Sequence, residues 1–261
     1  PVLFAGTAGD DSLGRMLRDD LAREGVDVSL LRLDPQIATI MILVVVEADG
    51  GRVPFALPPS GASHLQLVPE QLPGDLPRRI SWAHTTGMNL TEEPAAAATL
   101  DFLAACKAAG VPVSLDINSR IESMGNPRFL ENLRRAADCC TVLLGSGPDE
   151  LMPLAGADSP EAAARQLTRP GRVVVCRMGA GGATVYADGG SWHQDAFPVA
   201  VADTIGAGDA YNSGYLAAVW RGLAPREANR WGCAAGSACT SVRGARGCPT
   251  LPKLLDLLAQ G

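Results

Sequence analysis

Apolar runs of four or five residues alternate with helix-length segments through most of this chain, and that alternation limits the fold more than any other feature. Runs at 111–115, 141–144 and 173–176 have strand length and composition, and the segments at 127–137 and 160–167 between them read as helices. An Ala-rich segment at 94–109, with Pro94 in its first turn and Gly110 at its end, adds a helix ahead of these runs. Strands joined through helices pair in parallel, and a parallel sheet is covered on both faces. The chain opens in the same way. A run at 2–5 stops at Gly6, Asp11 stands at an N-cap position, and Leu13, Met16, Leu17 and Leu21 recur at helical spacing. Arg15, Arg18, Asp19 and Arg23 take the other face, and Gly25 ends the helix.

One stretch breaks the alternation. Between residues 39 and 57, β-branched runs flank Asp49-Gly50-Gly51 without an intervening helix, which is hairpin chemistry. This predicts a β-flap inserted at about 36–60. At roughly 150 residues per domain, 261 residues make one large or two small domains. Neither a Gly/Ser-rich linker nor a charge run divides the chain, so a single α/β domain over 1–261 carrying the flap is the expected organisation.

Charge and cysteine content remove several function classes. There are 22 basic and 28 acidic residues, a net charge of -6, and no clustered Lys/Arg stripe of the kind that phosphate-backbone binding needs, so nucleic acid is not an expected partner. Seven cysteines without a CxxC pair read as reduced and mostly buried, and His64, His84 and His193 stand too far apart to suggest a His/Cys metal site. The longest apolar run, 39–46, is far short of the roughly 18 residues of a membrane span. The opening residues carry no basic flank of a secretory leader, so a cytoplasmic location is expected.

The densest chemistry lies in Asp203-Thr204-Ile205-Gly206-Ala207-Gly208-Asp209 and the small-residue helix after it. Small residues let a backbone turn tightly and gather N–H groups at a helix start, where the dipole favours an anion. A carboxylate in such a cradle repels a phosphate unless it has work to do, and taking a proton from an attacking hydroxyl is that work. Asp209 is the candidate base, although the residues alone equally allow an N-capping Asp. Other phosphate loops fail on the letters. No Gly-Lys dipeptide exists for a Walker loop, and a GxGxxG started at Gly179 or Gly206 meets Thr184 or Tyr211 where its last Gly belongs.

The loop and its helix resemble the second signature of the ribokinase (PfkB) family of carbohydrate kinases. Other matches follow in order: Gly6-x-x-Gly9-x-Asp11-x-x-Gly14, the flap, Asp116-x-Asn118-x-Arg120, Glu150, Arg177-x-Gly179-x-x-Gly182, and a small-residue helix ahead of Arg243-Gly244-Ala245. The Asp-x-Asn-x-Arg motif and the flap look most like the fructokinase and 2-keto-3-deoxygluconate kinase branch. The resemblance implies a three-layer α/β/α ribokinase-like sandwich with a mostly parallel sheet and a small β-flap as lid. It also implies transfer of a phosphoryl group from ATP to a sugar or sugar-acid hydroxyl with Mg2+ on the phosphates. On it, Asp209 is the base and Gly206, Ala207 and Gly208 form the anion hole. Arg177, Gly179, Gly182 and Gly244 serve the nucleotide, and Asn118 and Arg120 the substrate. Glu150 orders Mg2+ through water, in a motif whose Asn position holds Gly147. Asp203 and the Ile205 carbonyl match a monovalent-cation (K+) site. A nucleoside kinase of the same fold, or a catalytically weak nucleotide- or sugar-binding relative, are the alternatives. Family members begin with a strand bearing a substrate-binding Asp, a Gly-Gly loop and an Asn-bearing helix ahead of the segment that matches residues 1–14, so the resemblance implies that such a segment is missing here.

In the flap, Ile40, Ile42, Val44 and Val46 alternate with Met41, Leu43 and Val45, which makes both faces apolar. A homodimer through the flap is therefore expected.

Overall fold

A computed structural model describes residues 1–46, 52–58, 61–119 and 126–260. The chain divides into two compact units, Pro1–Val113 with Pro127–Cys139 and Ser114–Asn126 with Cys140–Gly261.

In the first unit, β1 (Val2–Gly9) and β2 (Val26–Asp34) pair in parallel through α1 (Ser12–Arg23). The Asp11 carboxylate accepts from the Gly14 N–H at 2.8 Å, the cap that the spacing predicts. The packing of α1 differs from expectation. Gly14 is its buried residue, and a Cβ there would lie 2.0 Å from the Gly9 carbonyl oxygen, so the helix approaches β1 through a glycine. Leu13, Met16 and Leu17, the stripe expected to pack, stay exposed. Val2 and Phe4 are exposed as well, and β1 buries its far end at Thr7, Ala8 and Gly9.

The flap is β3 (Met41–Val46) paired antiparallel with β4 (Arg52–Leu57), with Leu43 opposite Phe55. Its Asp49-Gly50-Gly51 turn lies outside the described residues. A short strand, β5 (Ala83–Thr86), precedes α2 (Ala95–Ala108), which buries Ala95, Ala96, Leu100, Leu103 and Cys106 and packs on α3 (Pro127–Ala137). The α3 side chains Phe129, Leu133 and Ala136 are buried, and Asn132 satisfies its own burial by donating to the Leu90 carbonyl at 3.1 Å.

The second unit holds β6 (Val113–Asp116), β7 (Val142–Ser146) and β8 (Val173–Arg177) as neighbouring parallel strands. Leu115, Leu143, Leu144, Val174 and Val175 are fully buried, as continuous apolar runs in a parallel sheet should be. Beyond β8 the sheet continues with β9 (Ala183–Ala187) and β10 (Gly190–Gln194), both antiparallel to their neighbours. The turn into β9 requires Gly182 at φ 76°, and a Cβ there would lie 2.0 Å from the Gln194 carbonyl oxygen.

Short α4 (Met152–Ala155) leads to α5 (Pro160–Leu167), capped by Ser159 and packed on β8. Then α6 (Ala207–Trp220) packs closely on α7 (Pro225–Thr240), and α8 (Leu251–Gln260) rests on α7. Fully buried Asn229 ties α7 to the last hairpin. Its amide donates to the carbonyls of Ala183 (3.0 Å) and Trp192 (2.9 Å), and its oxygen accepts from the Tyr211 hydroxyl at 2.6 Å. All seven cysteines are free, five of them buried and Cys248 exposed. No helix among the described residues is long and apolar enough to cross a membrane.

Candidate active site

The described candidate residues all lie in the second unit. The carboxyl ends of its parallel strands carry Asp116, Ser146 and Arg177, the edge where open α/β sheets bind their ligands.

Toward this edge the fold brings the start of α6. Gly206 caps the helix with φ 80°, and a Cβ there would meet the Ala245 carbonyl oxygen at 2.7 Å, so only glycine makes the turn against that loop. Fourteen residues of helix follow, with Asp209 in the first turn at the positive end of the dipole. The Ala207 N–H makes a long 3.3 Å bond to the Thr204 carbonyl. Asp203 braces the approach. One carboxylate oxygen accepts from the Ile205 N–H (3.0 Å) and the other from the Gly244 N–H (3.0 Å), which brings together the three positions that the resemblance assigns to the cation site and its flanking loop.

Glu150 sits in a single π-helical turn, Gly147–Leu151, and is buried where an acidic turn was expected. Its Oε1 accepts from the Ser119 N–H at 2.9 Å and its Oε2 from the Ser146 N–H at 2.6 Å. Burial pushes its pKa up, against the pull of the Ser146 amide and of Arg177. Both Glu150 oxygens are engaged by backbone N–H groups, and among the described residues no three His, Cys, Asp or Glu side chains converge as a metal cage. Gly147 admits no side chain, because a Cβ would lie 2.6 Å from the Met178 sulfur and 2.8 Å from Pro160.

Arg177 lies at the centre. Its Nη2 donates to Asp116 Oδ1 (2.6 Å) and stands 3.5 Å from Glu150 Oε2. Its Nη1 donates to Asn212 Oδ1 (2.9 Å), the Gly208 carbonyl (3.3 Å) and Asp116 Oδ2 (3.4 Å). The Asn212 amide closes the ring on Asp116 Oδ2 at 2.7 Å. Burial works against the guanidinium charge, but Asp116 and Glu150 outweigh it and hold the pKa above its ordinary value. Sequence reasoning assigned no role to Asp116 or Asn212. The available signal was a polar residue inside an apolar helix, three positions after Asp209.

Of the remaining candidates, Gly179 and Gly182 shape the turn between β8 and β9, both at positive φ. Asn118 follows β6, exposed and left-handed at φ 36°, a conformation rare for a residue with a side chain. Arg120 lies outside the described residues.

Residues 1–253 match the family model for pfkB family carbohydrate kinases. The chain belongs to the pfkB family. Among its pfkB relatives, an aminoimidazole riboside kinase of Salmonella typhimurium is 34% identical over 218 residues, covering 82% of this chain and 66% of that protein. A fructokinase of Klebsiella pneumoniae is also 34% identical, over 82% of this chain and 69% of its own length. The pfkB chain thus spans about two thirds of the length of these relatives. The crystal structure of aminoimidazole riboside kinase from Salmonella enterica, complexed with aminoimidazole riboside and an ATP analog, superposes with a TM-score of 0.83 at 28% identity, covering 98% of this chain and 85% of that one. The ribokinase-like α/β fold follows, a mostly parallel sheet between helices with antiparallel strands at its edge.

Proposed function

We propose that this chain transfers the terminal phosphoryl group of ATP to a hydroxyl of a sugar or sugar acid. The observation that carries the reading is Asp209 in the first turn of α6, behind a glycine-rich turn and beside the carboxyl ends of the parallel strands. A helix start stabilises the charge that develops on the transferred group, and a carboxylate placed there can take the proton of the attacking hydroxyl. Gly206, Ala207 and Gly208 provide the anion hole. Gly179, Gly182 and Gly244 shape the nucleotide side, and Asn118 and Arg120 the acceptor side. Magnesium, when bound, neutralises the phosphates, with Glu150 acting on its water shell. Asp203 and the Ile205 carbonyl, next to the Gly244 loop, offer the oxygen ligands that a monovalent cation takes. Using ATP fits a cytoplasmic enzyme, and the exposed apolar flap fits a homodimer.

The similarity to an aminoimidazole riboside kinase supports a second reading, a riboside as acceptor. A coupled ADP-release assay over fructose, ribose, 2-keto-3-deoxygluconate and ribosides separates the two. In the same assay, Asp209→Asn is expected to lower turnover by ~10²-fold or more while nucleotide affinity stays near wild type. Wild-type turnover in that variant refutes the assignment of the base.

A further inference from the structure

We infer that Arg177, Asp116 and Asn212 form a positioning unit that fixes the first turn of α6, and that Arg177 acts on the reaction through this turn and not as a nucleotide ligand. The inference rests on the kinase reading of the same loop. Its basis is the bonding pattern. The Arg177 side chain is 14% exposed and that of Asp116 4%. Arg177 spans from the end of β6, at Asp116, to the Gly208 carbonyl immediately before Asp209 and to Asn212 one turn later. Gly208 leaves room for this approach, since a Cβ there would lie 3.0 Å from Arg177 Nη1 and crowd it. Two points on one turn, bonded to a guanidinium that is itself held by a buried carboxylate, leave the turn little freedom to tilt. A tilt of about 1 Å at a reacting group costs on the order of 10²-fold in rate.

Donor and acceptor polarity supplies the test. In Asp116→Asn the amide at 116 can still accept from Arg177, but it faces the Asn212 amide donor to donor. Asn212→Asp sets a second carboxylate against Asp116. The exchange Asp116→Asn with Asn212→Asp restores the pattern, because the carboxylate at 212 accepts from Arg177 and from the amide at 116.

Each single variant is expected to lower kcat about tenfold or more while KM for ATP moves less than about threefold, and the exchange should regain most of the lost kcat. Arg177→Lys, which keeps the charge but cannot reach Asp116, Asn212 and Gly208 together, should lower kcat with the same unmoved KM. Hydrogen exchange of the peptide covering residues 206–212 provides a readout free of turnover, with faster exchange in the singles and recovery in the exchange variant. If the wild type phosphorylates no acceptor, the kinase reading fails and the exchange rates still decide the positioning unit. The inference is overturned if the exchange variant is folded yet as impaired as the two singles multiplied. Unchanged amide protection in the singles overturns it as well, as does loss of nucleotide affinity with kcat intact in Arg177→Lys.

Discussion

At the scale of single residues, Asp11 is a carboxylate outside the candidate site whose bonds tie two elements together. Its Oδ2 accepts from the Thr39 N–H, and its Oδ1 from the Gly14 N–H and the Thr39 hydroxyl, each at 2.8 Å. The Thr39 hydroxyl oxygen accepts in turn from the Gly9 N–H at 2.9 Å. These bonds, the Thr39 amide first, hold the carboxyl at about 2 against its ordinary 3.8. One carboxylate thus caps α1 and anchors the chain two residues before β3, at the root of the flap. A depressed folded-state pKa stabilises the fold above the unfolded value and ceases to do so as pH falls through the folded one. The melting-temperature gap between wild type and Asp11→Asn should therefore be full at pH 5 and close between about pH 4 and pH 2, and a gap independent of pH argues against this role. Asp11 and Asp209 were legible because spacing within a few residues defines both a cap and a glycine-rich helix start. Asp116 and Asn212 were not, because the bond that defines them joins positions 96 residues apart. The burial of Glu150 was hidden likewise, since its partners at Ser119 and Arg177 come from other strand ends.

Among elements, the α6/α7 pair depends on absent side chains. A Cβ at Gly214 would lie 2.7 Å from the Trp231 carbonyl oxygen and 2.8 Å from the Ala235 Cβ, and one at Gly232 would lie 2.7 Å from the Tyr211 ring. Helix propensity alone favours alanine at position 214 by about 1 kcal/mol. Overpacking against a backbone atom costs about 1–3 kcal/mol, and the carbonyl cannot swing aside as a side chain would. Gly214→Ala should thus destabilise by up to roughly 2 kcal/mol in urea unfolding, and a stabilised variant shows that α7 yields. Elements marked by Ala-rich composition with Pro and Gly boundaries (α2), by helix length between apolar runs (α3, α5) or by short continuous apolar runs (β6 to β8) were readable to within a residue or two of their observed ends. The β9/β10 hairpin was not, because Gly190-Ser191-Trp192-His193-Gln194 carries neither an apolar run nor the alternation that announces a half-buried strand. In α1 the leucine period was real but misleading, since contact is made by Gly14.

For the whole molecule, the flap raises the question of what covers it. Met41, Leu43 and Val45 share a face with Val53, Phe55 and Leu57, and all six side chains are between 39% and 50% exposed. Ile42, on the opposite face, is 47% exposed. A two-stranded hairpin is marginally stable in water by itself, and an apolar face of this kind is covered in stable proteins. The flap of a second copy presents the same apolar surface, and a twofold axis sets a patch against itself. The protein should therefore be a dimer at micromolar concentration by light scattering. Leu43 and Phe55 are cross-strand partners at the middle of the face. Placing Asp at both positions in each of the two copies buries four charges in an apolar contact, at ~2 kcal/mol or more each, which weakens association by roughly 10⁵-fold or more. The double variant Leu43→Asp with Phe55→Asp should then run as a monomer. A wild type that is already a stable monomer refutes the dimer, and a double variant that remains dimeric moves the interface away from the flap.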